Sequence, residues 1–187
     1  MYKYIGLLWK NPKANLGDLW QQRLMQYRRQ PATLRIPRPT RLDKARMLGY
    51  KPKKGIFIVR QKLKRGGHSR PRPVKGRKPS RLSIKLPLRK NYQQIAEERV
   101  SRKFPNCEVL NSYLVGQDGP NCWYEVILID RAQPTIKNDT KLFNLAQKRG
   151  RAQRGLTSAG RKSRGLRRKG KGVEKARPSR RANKRRQ

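Results

Sequence analysis

The sequence predicts an α+β fold: a small, mainly antiparallel sheet with packed helices, carrying long basic extensions that lack a core of their own. Three observations predict it. The apolar runs EVLNSYLVG and CWYEVILID flank the turn-rich QDGPN, the pattern of a β-hairpin with a loop of about six residues. A helical stripe runs through NYQQIAEERVSRKF just before them. Charge is segregated around both. Residues 91–139 carry 5 bases and 7 acids, as ordinary protein does. Residues 1–50 carry 11 bases and 2 acids, residues 51–90 carry 16 bases and no acid, and residues 141–187 carry 19 bases and one acid.

The net charge of +41 opposes compaction by self-repulsion. At 34 % the apolar content is below the ~45–50 % usual for globular domains. Part of the chain therefore needs a polyanion to order it, and nucleic acid is the natural one. The expected organisation is a helical and Pro/Arg-rich region over 1–42, an α+β core over 43–140 with a basic loop at 65–90, and a basic extension over 141–187.

The elements follow in order. Leu16, Trp20, Leu24 and Tyr27 fall on one helical face with Leu19 beside them, and Arg23, Arg28 and Arg29 lie around the polar side. Such a helix packs on its own domain more readily than on a membrane. Residues 30–41 hold three prolines and three arginines and must be extended. DKARMLGY suits a short helix ended by Gly49. Residues 55–64 form a strand in which Val59, Gln61 and Leu63 oppose Arg60, Lys62 and Lys64. A further edge strand is expected at 81–87, ended by Pro87.

In the next helix Asn91 is the N-cap, and Tyr92, Ile95, Ala96, Arg99, Val100 and Lys103 form the stripe. Glu98 and Arg102 stand four apart and support each other. On the hairpin, Val109, Tyr113, Tyr124, Val126 and Leu128 take one face; Leu110, Leu114, Trp123, Ile127 and Ile129 take the other. A sheet apolar on both faces is covered on both. Pairing Val115 with Cys122 puts Cys107 near Asp130, which leaves the two thiols on the order of 24 Å apart. A disulfide needs Cα atoms within about 7 Å, so both are free, consistent with a reducing, cytoplasmic setting.

Residues 65–90 and 150–187 show no apolar periodicity, and extended arms ordered by phosphates are expected there. Within the second, RGLTSAGRKSRGL approaches a phosphate loop without being one. Gly160 is followed by Arg161, the lysine arrives one place late at Lys162, and a basic coil rather than a buried strand precedes the motif. Thr157 or Ser158 caps a short helix there. A magnesium-dependent nuclease finds no support either. Glu97 and Glu98 diverge on a helix, Glu125 and Asp130 lie on opposite strand faces, and both sets read as surface or intradomain charge pairs. No nucleophile pairs with His68. No apolar run reaches the ~18 residues of a membrane span, and the start of the chain does not resemble a signal peptide.

Taken together and in this order, DKARMLGY, KRGGHSRPRPVKGRK, QIAEERV, VLNSYLVGQDG, WYEVILID and RGLTSAGRKSRGL resemble the fifteen-e family of large ribosomal subunit proteins of the archaeal and eukaryotic type. The similarity runs from YKYIGLLW to about Leu166. LSIKLP departs from it, standing where a Gly-Val-Asn-like turn is expected. The resemblance implies an α+β fold around an antiparallel sheet, no enzymatic activity, no cofactor, and large-subunit ribosomal RNA and neighbouring ribosomal proteins as partners.

On this reading the basic segments neutralise RNA phosphates. Arg28, Arg29, Arg35, Arg38 and Arg41 form one rank, with Lys44 and Arg46 beyond it. Lys62, Lys64, Arg65, His68, Arg70 and Arg72 form a second. Arg151, Arg154, Arg161, Lys162, Ser163 and Arg164 line a third. Arginine's planar fork bridges phosphate oxygens and stacks on splayed bases. Gly66, Gly67, Gly155 and Gly160 let backbone approach closely. The rival from another class is an architectural DNA-binding protein, which the basic tails alone would serve equally well.

Overall fold

The computed structural model describes residues 1–69, 76, 85–167, 170 and 172–178. Its centre is the hairpin. Strands β5 (Cys107–Gln117) and β6 (Asn121–Asp130) pair antiparallel. The connecting turn is only Asp118, Gly119 and Pro120, held by the Asp118 carboxylate accepting from the Asn121 N–H at 2.7 Å. A loop of six residues was expected. Two bulges in β5, between Val109 and Asn111 and between Leu114 and Gly116, take up the difference. Cys122 therefore opposes Gln117 and not Val115, while Cys107 opposes Asp130 as expected. The thiols sit at opposite ends of the hairpin, buried and free.

The first bulge changes faces as well as register. Tyr113 joins Trp123, Ile127 and Ile129 instead of lying with Val109, and Leu114 is left largely exposed. One extra residue reverses the alternation of everything beyond it.

Strand β2 (Ile56–Lys64) pairs with the other side of β6, and β1 (Thr33–Ile36) with β2, giving one antiparallel sheet in the order β1-β2-β6-β5. β1 comes from the segment expected to be merely extended. It lies between Pro31 and Pro37, which suits an edge position where no N–H need be donated outward. Residues 81–84 of the expected further strand lie outside the described residues. Its described end, β4 (Lys85–Leu86), pairs with β3 (His68–Ser69) in a separate two-stranded sheet.

Helices cover one face of the main sheet. α1 spans Tyr2–Leu8; α2, Pro12–Arg29, is broken at Gly17, whose φ is +45°. Trp20, Leu24 and Tyr27 of α2 are buried, Tyr27 lying 5.8 Å from the Trp123 ring, whereas Leu19 faces out. Ala45 of α3 (Leu42–Met47), Ile136 of α5 (Pro134–Lys137), and Leu142 and Ala146 of α6 (Thr140–Ala146) complete this core. Gly49 ends the turn after α3, as expected, at φ +98°.

The opposite face is covered by α4 (Tyr92–Lys103), whose Ala96 and Val100 pack on Val59, Leu63, Val109, Val126 and Leu128. Asn91 caps it, accepting from the Gln94 N–H at 2.8 Å. The stripe differs from the one expected. Arg99 and Lys103 are exposed, and Gln94, Glu97, Glu98 and Ser101 turn inward. Glu98 takes Lys90 at 2.8 Å as its ion partner, in place of Arg102.

Residues 150–166 depart most from expectation. They are not an extended arm. They form a turn and α7 (Ser158–Ser163) on the same face as α4, burying Ala152, Thr157, Ala159 and Gly160. Small residues made this core invisible to a search for large apolar periodicity.

Candidate nucleic-acid interface

Of the four acids read as surface or intradomain charge pairs, Glu98 and Glu125 are buried in pairs within the domain, and Glu97 is buried against hydroxyls; Glu108, which the sequence reading had not considered, is buried as well. Glu125 lies opposite Arg60 on β2, 3.7 Å away. It accepts from the Tyr113 hydroxyl at 2.6 Å and from the Thr40 hydroxyl and N–H at 2.5 and 3.1 Å. Burial pushes its pKa up against the pull of those donors, and burial likewise raises Glu97, opposed by hydrogen bonds from Ser112 and Thr157. Arg60 also covers the Tyr27 ring at 4.0 Å and donates to Gln30 at 2.6 Å. Asp139 is held below its ordinary value chiefly by the hydrogen bond from Lys53 at 3.0 Å. Of the ten carboxylates only Asp18 and Glu174 stand exposed. Most of the acids are engaged within the fold, and the surface is left with a large excess of cations.

The first rank of cations is partly engaged by the protein itself. Arg28 is half exposed and bonds Asp118 at 2.8 Å. Arg41 is mostly buried between Asp43, at 3.3 Å, and the Trp9 ring. Arg35 lies over the Phe57 ring at 4.6 Å. Arg29, Arg38 and Arg46 are exposed, and Lys44 is half-buried.

In the second rank, Lys62 is drawn inward and donates to the carbonyls of Arg28 and Gln30, both at 3.1 Å, at the end of α2. Arg65 donates to the Asp118 carbonyl at 2.7 Å. Lys64 and His68 are exposed; Arg70 and Arg72 lie outside the described residues. Gly66 has φ +114° with its N–H on the Tyr92 hydroxyl at 2.7 Å. A side chain on Gly67 would meet the Leu86 carbonyl oxygen at 2.3 Å, so that glycine permits the β3–β4 approach. Lys64, Arg65, His68, Arg89, Arg99 and Arg102 surround one groove of about 830 Å³.

In the third rank, Arg154, Arg161, Lys162 and Arg164 are exposed and Ser163 is half-buried. Arg151 reaches inward to the Val109 carbonyl at 2.5 Å. Gly155 and Gly160 pack on each other: a Cβ on Gly160 would lie 2.6 Å from the Gly155 Cα. Thr157 caps α7, accepting from the Gly160 N–H at 3.1 Å. Arg151, Arg161 and Arg164 share a second groove, of about 590 Å³, with Lys141 and Lys148, and Leu145, Leu156 and Leu166 form its apolar part. No carboxylate lines it.

The sequence reading had not placed Lys141, Lys148, Arg89, Arg99 or Arg102 among the nucleic-acid contacts; Arg99 and Arg102 had been read only as parts of the helix. The spacing of Arg99 and Arg102 on α4 was a usable signal; the approach of α6 to α7 left none. Among the described residues no group of three His, Cys, Asp or Glu could hold a metal ion, and no helix is long and apolar enough to cross a membrane.

The family model described as Ribosomal L15 matches residues 1–183. The chain belongs to that family. A curated relative, the large ribosomal subunit protein eL15 of Methanocella arvoryzae, is 52 % identical across 99 % of this chain and 96 % of its own length. The Ribosomal L15 family is one of structural proteins, and membership makes the chain a structural constituent of the cytoplasmic ribosome. Its antiparallel sheet and packed helices agree with the α+β fold read from the sequence.

Proposed function

We propose that this member of the Ribosomal L15 family is built into the large ribosomal subunit, where its basic segments bind and stabilise folded ribosomal RNA and neighbouring ribosomal proteins adjoin it. One observation carries the proposal. Eight of ten carboxylates are buried or half-buried, while exposed arginines and lysines spread over the surface of the described residues, and some of them gather around two grooves. Phosphate is the ligand that completes such a surface, and counterion release supplies much of the affinity. The chemistry is positional, with no catalytic step.

The test is competition between deproteinised large-subunit ribosomal RNA and duplex DNA at moderate salt, with affinity followed against salt. Folded ribosomal RNA is expected to win, with a log–log slope on the order of −8 to −11 for about a dozen phosphate contacts. Equal affinity for DNA would favour an architectural DNA-binding protein, and a slope near −2 would mean that few phosphates are touched.

A further inference from the structure

Residues 150–163 are fastened at intervals to β5 and to α4. At one end Glu108 on β5 accepts from the Gly150 N–H at 2.9 Å and the Arg151 N–H at 3.4 Å. In the middle Gln153 donates to the Ser101 hydroxyl of α4 at 3.0 Å. Further on, Thr157 donates its hydroxyl to Glu97 at 2.5 Å, and the other oxygen of that carboxylate takes the Ser112 hydroxyl. Beyond Thr157, the Asn91 side chain donates to the Ala159 carbonyl at 3.2 Å. Glu97, Glu108 and Thr157 are all buried.

The placement of two carboxylates beneath this segment needs a reason. A buried carboxylate loses hydration, and its neighbours must offset the loss. Here the donors are the backbone and hydroxyls of a segment rich in arginine. Left to itself such a segment would swing away from an already cationic body. Arg151 feels the charges of both Glu108 and Glu97. What the fastenings hold in place is one wall of the groove between α6 and α7: Arg161, Arg164 and Leu156 facing Lys141 and Lys148. Glu97, Glu108 and Thr157 do not line that groove.

We infer that Glu97, Glu108 and Thr157 are positioning residues for RNA: they dock segment 150–166 on α4 and β5 and so set Arg161 and Arg164 against Lys141 and Lys148 before any nucleic acid arrives. The inference rests on the RNA-binding function proposed above and adds to it. This groove is preformed by interior acids and is not moulded by the RNA.

Thr157 gives the test, because its hydroxyl both donates to Glu97 and caps α7. Full-length Thr157→Val and Thr157→Ser are compared with the parent, using deproteinised large-subunit ribosomal RNA as probe. Valine is expected to speed amide exchange over 158–164. If the docked population falls to about a tenth, RNA affinity falls roughly tenfold. The salt slope becomes shallower by about 2 as Arg161 and Arg164 cease to act together. Serine restores all three readouts. Faster exchange in Thr157→Val with RNA affinity and slope unchanged overturns the inference, and so does unaltered exchange. Failure of the parent to prefer ribosomal RNA overturns the proposed function instead. If Thr157→Val does not fold, Glu108→Gln reads the same quantities from the other end of the segment, where one acceptor becomes a donor. Faster exchange there with unchanged RNA affinity overturns the inference equally.

Discussion

Gly160→Ala probes the packing of the C-terminal segment with a single methyl group. The added Cβ would lie 2.6 Å from the Gly155 Cα, 2.7 Å from its carbonyl carbon and 3.0 Å from its oxygen. Carbon atoms in good contact are ~3.5–4.0 Å apart, so the overlap is severe, and every atom it meets is backbone. Gly155 has little freedom to yield. It sits at φ +64°, and on its own far side the space for a Cβ is taken by the Arg164 side chain at 2.9 Å. Relief requires α7 to lift from the turn at 155. Overpacking of this kind costs about 1–3 kcal/mol, which at ~1.4 kcal/mol per decade raises local opening by about five- to 150-fold. Amide exchange across 158–164 should accelerate by that factor, while the urea midpoint of the sheet, followed by Trp123 fluorescence, moves less. Gly119→Ala is the control, since a Cβ there meets nothing within 4 Å; its effect should stay within about 0.5 kcal/mol. Unchanged exchange in Gly160→Ala would refute the close packing of 155 on 160.

Three further outcomes are expected. Glu125→Ala strands Arg60 and the hydroxyls of Thr40 and Tyr113 in the interior and should cost about 3–5 kcal/mol in urea unfolding; a loss under 1 kcal/mol would mean the network contributes little. Glu97 is raised from about 4.5 by burial, so the folded state holds its proton more tightly than the unfolded chain. Its contribution to stability is thus greatest below the unfolded value and declines as pH climbs from there through the raised folded value. Glu97→Gln mimics the protonated form, and its stability relative to the parent should rise over that window; a fall would reverse the sign of the argument. Cys107, pushed up to about 11, and buried Cys122 should resist iodoacetamide at pH 8 in the native chain and react promptly in urea; rapid native labelling would place them at the surface.

The hairpin, α4 with its Asn91 cap and the Trp20–Leu24–Tyr27 face were legible because large apolar residues at regular spacing announce them. Tyr113 was misplaced because a bulge at Leu110 leaves no mark in composition, yet it reverses the alternation beyond it. The packing of 150–166 was missed for a different reason. Its buried residues are Ala152, Thr157, Ala159 and Gly160, and its partners are acids that a residue count assigns to the surface. The basic ranks were legible as charge, but which cation points outward is set by tertiary partners. Lys62 and Arg151 turn inward to backbone carbonyls; Lys141 and Lys148 enter the groove through the approach of two helices.

On the proposed function, the inward placement of the acids bears on how one polyanion is told from another. A particle that displays almost a single electrical sign is drawn to every strand it meets, and attraction of that kind carries no message about identity. Two copies, meanwhile, push each other apart. Discrimination must therefore come from contour: from cations anchored to something stiff enough that only a matching relief of phosphates can satisfy them together. On the function proposed above, the acids held within the fold, on α4 and in the strands of the hairpin, are the rivets of that contour, and selectivity is lodged in residues set back from the groove.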